Sequence, residues 1–168
     1  MRLSPALLAS AALIALAGCA KTPKAEDLPP PPVEQSQAAT PTPDAGPQPG
    51  SQEHFRAAVQ SDRIYFDTDQ SDVDATDRAV LDSQAAYLRQ YPQVRVTIEG
   101  HADERGTREY NLALGERRAN AAKNYLASLG IDAARISVLS YGKERPEATG
   151  SDEAAWAQNR RAVTVTVQ

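Results

Sequence analysis

The segment from Ile98 to Gly130 constrains the fold more than any other part of this chain. It runs I-E-G-H-A-D-E-R-G-T-R-E-Y-N-L-A-L-G-E-R-R-A-N-A-A-K-N-Y-L-A-S-L-G and reads as a strand end, a polar loop with two glycines, and a long helix. At about 100° per residue, Leu114, Ala122, Tyr125, Leu126 and Leu129 share one helix face, and Asn111, Gly115 and Arg118 fall inside it. Glu116, Arg117, Asn120, Lys123 and Asn124 take the other side. Arg118 therefore points inward while its neighbour Arg117 points out. A guanidinium on the buried face of a helix calls for a carboxylate to meet it. Which carboxylate that is becomes the central question of the sequence.

The flanking segments predict a βαβαββ order, an α/β domain with helices on one face of a small mixed sheet. Arg63 to Phe66 is a short strand, followed by the acidic loop Asp67-Thr68-Asp69-Gln70-Ser71-Asp72. Asp74 to Tyr91 reads as a helix with the apolar stripe Val80, Leu81, Ala85 and Leu88, and Pro92 follows its end. Val94, Val96 and Ile98 alternate with Arg95, Thr97 and Glu99, a strand with one wet face. The long helix closes at Gly130, a C-terminal cap residue. Ile136, Val138 and Leu139 predict a third strand ending at Tyr141-Gly142, and a short polar turn or helix is expected around Ala154 to Asn159. Val163, Val165 and Val167, alternating with Thr164 and Thr166, form the last strand.

The N-terminal third is of another kind. Arg2 precedes an apolar run from Ala6 to Ala17, too short for a spanning helix and fitting the core of a signal peptide. Its end, Leu16-Ala17-Gly18-Cys19, resembles the lipobox of bacterial lipoproteins. That resemblance implies a signal peptide over 1–18 and lipidation of Cys19, with Ala20 in the next position implying the outer membrane. Nine of the twelve prolines lie between Lys21 and Gly50, and large apolar residues are almost absent there. Residues 19–58 are expected to form a partly extended tether with a maximum reach on the order of 100 Å. The folded domain is expected over 59–168.

Composition excludes several functions. The formal charge of −4 gives no electrostatic case for nucleic acid. One cysteine and two distant histidines make neither an intramolecular disulfide nor a zinc set. The acidic loop begins like a calcium loop, but Asp72 stands where the turn glycine belongs and Arg78 where the bidentate Glu belongs. No nucleophile elbow, phosphate loop or zinc-protease motif occurs, so His101 reads as a loop histidine rather than a base. No cofactor and no metal are expected.

Asp103 and Arg118 are the informative pair, and the residues leave two readings open. They form an internal salt bridge pinning loop to helix, or they divide the charges of a zwitterionic ligand. A guanidinium matches a carboxylate bidentately, an aspartate accepts from an ammonium, and Asn111 can do both beside them.

The run E-G-H-A-D-E-R-G-T-R-E-Y-N-L-A-L-G-E-R-R-A-N-A, with S-Y-G-K-E-R-P and D-E-A-A-W-A-Q-N-R-R-A-V further on, resembles the OmpA-like peptidoglycan-binding domain family, closest to its peptidoglycan-associated lipoproteins. The resemblance covers about Ile64 to Val167. It implies a non-enzymatic domain that grips the free end of meso-diaminopimelate in the stem peptide and tethers the outer membrane to the wall. By position it assigns ligand contacts to Asp103, Arg118, Asn111, Leu114, Asp69 and Thr68. Close relatives often carry phenylalanine in place of Thr68, which weakens that one assignment. The resemblance also implies TolB and other Tol proteins as partners, within a Tol–Pal system that supports envelope integrity and cell division. The alternatives are a related lipoprotein anchoring another envelope machine, and a peptidoglycan hydrolase.

Overall fold

Four strands make one sheet in the order β1-β4-β2-β3: β1 (Arg63–Tyr65), β2 (Arg95–His101), β3 (Ile136–Gly142) and β4 (Arg161–Val167). The computed structural model describes residues 46–167, so the expected signal segment, Cys19, the linker to residue 45 and Gln168 lie outside the described residues. β2 and β3 run parallel, whereas β4 is antiparallel to both β1 and β2. A parallel pair needs a long crossover, and α3 (Arg108–Ser128) provides it. α2 (Ala75–Gln90) makes the earlier crossover, and α1 (Gln52–Ala58) and α4 (Glu153–Asn159) complete the fold.

Local chemistry sets the helix ends. Thr107 caps α3 by accepting from the Tyr110 amide at 3.2 Å, and Asp74 caps α2 by accepting from Asp77 at 2.7 Å. At the far end of α3, Gly130 has φ 90°. Its N–H donates to Ala127 and that of Ile131 to Leu126, a Schellman closure over two buried apolar side chains.

The expected period of β2 holds: Val94, Val96 and Ile98 are buried and Arg95 is exposed. Register places Thr164 opposite Ile98 and Thr166 opposite Val96, so in β4 the threonines face the helices. The valines of that strand take the other face, and Val167 is 50% exposed. Alternation fixes the period of such a strand but not which set turns inward. Thr164 is accommodated because its hydroxyl donates to Gln84 Oε1 at 2.8 Å, and Gln84 in turn donates to the Ser61 carbonyl.

Folded structure also begins earlier than the expected start at residue 59. Phe55 of α1 is fully buried in the core with Tyr87 and Leu88. His54 accompanies it, its Nδ1 2.9 Å from the Tyr87 hydroxyl and its ring edge-on to Tyr91. A helix of seven residues is too short to show a convincing apolar period in sequence.

Two glycines set the depth of α3 on the sheet. A Cβ on Gly100 would lie 1.8 Å from the Gly115 carbonyl oxygen, and one on Gly115 would lie 2.5 Å from Ser140 Oγ. The backbones of β2 and α3 touch here, which brings Arg118, one turn further along, beneath the end of β2. His101 at that strand end is 2% exposed, belonging to the strand and not to a loop as its sequence context implies. Its ring stacks on Tyr141 at 5.5 Å, with Glu99 3.9 Å away and Arg161 and Arg145 nearby. Burial first, and then the charge of Arg161, pull its pKa down to about 4.

Gly100→Ala is expected to destabilise the fold by about 3 kcal/mol in urea denaturation, because the clash is with backbone. Gly46→Ala, which meets nothing within 4 Å, should change it by less than about 0.5 kcal/mol; equal midpoints would contradict the packing. A buried neutral histidine binds its proton in the unfolded chain at higher pH than in the fold. Stability should therefore fall by about 2 kcal/mol as pH drops from near 7 to near 4.5. His101→Phe should remove that part of the pH dependence, as read from denaturation midpoints across the window.

Candidate functional site

Arg118 is fully buried, and its partners are not carboxylates. Its Nε donates to the Gln70 carbonyl at 2.9 Å, Nη1 to His101 at 2.8 Å and Nη2 to Asp67 at 3.0 Å. The guanidinium also lies 5.2 Å from the Phe66 ring centroid. Burial pulls its pKa down to about 10, while the charge of Asp103 acts in the opposite sense. The expected inward phase is correct, but the carboxylate expected to meet this side chain is replaced by three carbonyl dipoles. They come from the β1–α2 loop and the end of β2, so Arg118 clamps those two segments onto α3.

Asp103 sits where β2 has turned into the β2–α3 loop and is 7% exposed. Among the described residues it makes no ion pair with Arg118. Its carboxylate accepts from Arg105 twice, Oδ1 from Nε at 3.1 Å and Oδ2 from Nη2 at 2.6 Å. The Arg105 amide adds a third bond at 3.1 Å, and Arg160 Nη1 lies 3.6 Å from Oδ2. Burial opposes ionisation, but the Arg105 bonds and the charges of Arg105 and Arg160 outweigh it. The carboxyl is held below its ordinary range.

The remaining expected residues lie around this pair. Thr68 Oγ1 is 3.4 Å from Arg105 Nη2. Asp69 has φ 57°, a left-handed conformation that Asp tolerates, and it accepts from the Tyr110 hydroxyl at 3.3 Å. Asn111 is buried and donates to the Arg105 carbonyl at 2.7 Å. Leu114 is buried on the same face of α3 as Asn111 and Arg118. The loops carrying Thr68, Asp69 and Asp103 are thus brought together over the start of α3.

Three residues of this region had no assigned role in the sequence. Arg105 covers Asp103 and stacks on Trp156, its Cζ 4.2 Å from the ring centroid. Trp156 in turn donates to Glu104 at 3.1 Å. Arg160 is buried, donates to the Phe66 carbonyl and to Glu153, and leaves Nη1 without a hydrogen-bond partner beside Asp103. Its position in the N-R-R-A run was visible, but its contacts span 94 residues of sequence and were not. A cavity of ≈ 650 Å³ opens beside Arg160, which lines it together with Tyr65, Phe66, Asp67 and Asp77; neither Asp103 nor Arg118 lines it.

The chain therefore offers one ionised, covered carboxylate ringed by three guanidiniums, with backbone and amide groups alongside. Such a set can hold a small group carrying both charges, and it contains no activated nucleophile.

The OmpA family profile matches residues 65–160. A protein of Mesorhizobium japonicum named peptidoglycan-associated lipoprotein is 49% identical over 164 residues, covering 96% of this chain and 90% of that one. The Rhizobium meliloti protein of the same name is 50% identical and covers 96% and 87%. The crystal structure of the peptidoglycan-associated lipoprotein from Burkholderia pseudomallei superposes with a TM-score of 0.62 at 48% identity, covering 64% of this chain and 91% of that one. A cell wall anchor of a type VI secretion system from Pseudomonas aeruginosa superposes with a TM-score of 0.55 at 26% identity, covering 72% and 100%. The family's match spans both crossovers and every loop of the Asp103 site, and the chain belongs to the OmpA family, among its peptidoglycan-associated lipoproteins.

Proposed function

We propose that this chain binds peptidoglycan without cleaving it, holding the zwitterionic end of meso-diaminopimelate in the stem peptide. The observation that carries the reading is Asp103, a carboxylate nine-tenths buried yet kept ionised at the meeting point of two loops. Its role is to accept the ligand's ammonium. Arg118 uses three of its N–H groups on backbone carbonyls, and a guanidinium has five. The other two supply the anion half of the site. Asn111 and Leu114 border the ligand from α3. The relatives' shared name, peptidoglycan-associated lipoprotein, supports the ligand class and points to binding, not turnover.

The reading extends to the rest of the chain. Lipid on Cys19 anchors it in the outer membrane, the proline-rich segment spans part of the periplasm, and the domain engages the wall. TolB and the Tol system are its protein partners, with envelope integrity and cell division as the outcome. The weaker likeness to the secretion-system anchor, at 26% identity against 48–50% for the lipoproteins, favours this assignment over another envelope machine.

In co-sedimentation of the full-length chain with purified peptidoglycan, Asp103→Ala is expected to lose about 3 kcal/mol of binding or more, since a ligand charge loses its partner in a desolvated site. Arg118→Ala should lose binding and also unfold at lower denaturant, because three carbonyls lose their donor. Arg117→Ala, on the exposed face, should do neither; damage equal to that of Arg118→Ala would contradict the site. Release of soluble wall fragments by the wild-type chain would contradict binding without turnover. Cys19→Ser is expected to move the protein out of the membrane fraction with wall binding intact, and retention with lipid would refute the anchor.

A further inference from the structure

The carboxylate assigned to the ligand's ammonium is already in use. Arg105 holds both Asp103 oxygens in a fork, Nε on Oδ1 and Nη2 on Oδ2. It approaches from the solvent side, 39% exposed at its side chain against 9% for Asp103. With its backbone amide, Arg105 takes three of the carboxylate's roughly four acceptor sites, and Arg160 Nη1 lies beside Oδ2, so an ammonium needs a site that Arg105 holds. The second guanidinium beside Asp103 is of a different kind. Arg160 is 6% exposed and is fixed by the Phe66 carbonyl and Glu153, so it has no path out. Arg105 has one: it is two residues from Asp103, reaches out of the loop, and has Glu153 and Asp69 close enough to feel its charge.

We infer that Arg105 is a built-in competitor, occupying the cation subsite of Asp103 in the free domain and leaving it when a ligand ammonium enters. The inference rests on the reading of Asp103 as the ammonium acceptor. It gives the site a threshold. A partner that brings only a weakly held cation does not displace a bidentate guanidinium stacked on an aromatic ring, whereas a diaminopimelate end brings an ammonium together with a carboxylate that other donors of the site can receive. Apparent affinity is then the intrinsic affinity multiplied by the fraction of time Asp103 is uncovered. The departure of Arg105 also uncovers one face of Trp156, the only tryptophan of the chain, so the exchange reports itself.

The test titrates the full-length chain with a soluble stem peptide ending in meso-diaminopimelate, following heat and Trp156 fluorescence together. The wild-type chain should show a fluorescence change that saturates with binding. Arg105→Gln should bind roughly 3- to 10-fold more tightly, with the fluorescence change reduced by more than half. Arg105→Lys, which keeps a cation but loses the fork, should fall between the two. Equal or weaker binding by both variants, with Asp103→Ala still abolishing it, would overturn the competitor and leave the site standing. Wild-type affinity in Asp103→Ala would overturn the site assignment and the competitor with it.

Discussion

Three hydrogen bonds from one guanidinium organise this domain. Arg118 reaches the Asp67, Gln70 and His101 carbonyls across 51, 48 and 17 residues of sequence. Removing a guanidinium from water costs several kcal/mol, and the balance is restored only if its donors are used. Carbonyl dipoles can do this without a neutralising anion. The result is mechanical: the phase of α3, the end of β2 and the β1–α2 loop cannot shift independently. The Gly100–Gly115 contact allows this by letting the helix approach the strand at backbone distance.

A buried guanidinium with no anion of its own leaves a positive field for whatever lies above it. Arg118 and Arg160 share that field, and Asp103 lies beside it, held below the ordinary carboxylate range despite burial, first by its bonds to Arg105 and then by the charges of Arg105 and Arg160. The chain as a whole carries −4, so this local excess of cations is a property of the site and not of the protein. One carboxylate among three guanidiniums can accept a ligand cation and still retain attraction for a ligand anion. That combination favours a zwitterion over either a simple amine or a simple acid.

Much of this was legible in the sequence because it depends on period and on cap chemistry. The inward set of α3 follows from 3.6-residue spacing: the structure buries Asn111, Leu114, Gly115, Arg118, Ala122 and Leu126 and half-buries Tyr125 and Leu129 at the edge of that face. Gly130 closes the helix for the conformational reason its residue type suggests. The partner of Arg118 was not legible. A sequence shows side chains that could carry charge, but not where a distant backbone turns its carbonyls. The same limit hid Arg105, whose contact with Asp103 depends on the local path of a loop. It hid the inward face of β4 as well, where Thr164 is buried only because Gln84 meets it from α2. α1 is barely legible because seven residues just past the proline-rich stretch carry too little periodic signal, although Phe55 is as buried as any residue of the core.

The proposed site is built for the two charges that diaminopimelate carries on one carbon. Calorimetric titration of the wild-type chain with two soluble stem peptides, identical except for meso-diaminopimelate or lysine at the third position, separates a zwitterion site from a simple ammonium site. The lysine peptide keeps the ammonium and lacks the carboxylate beside it. Its binding should be weaker by at least ~10-fold, because donors built for that carboxylate are left without a partner. Equal affinity for the two peptides would show that the domain does not read the zwitterion.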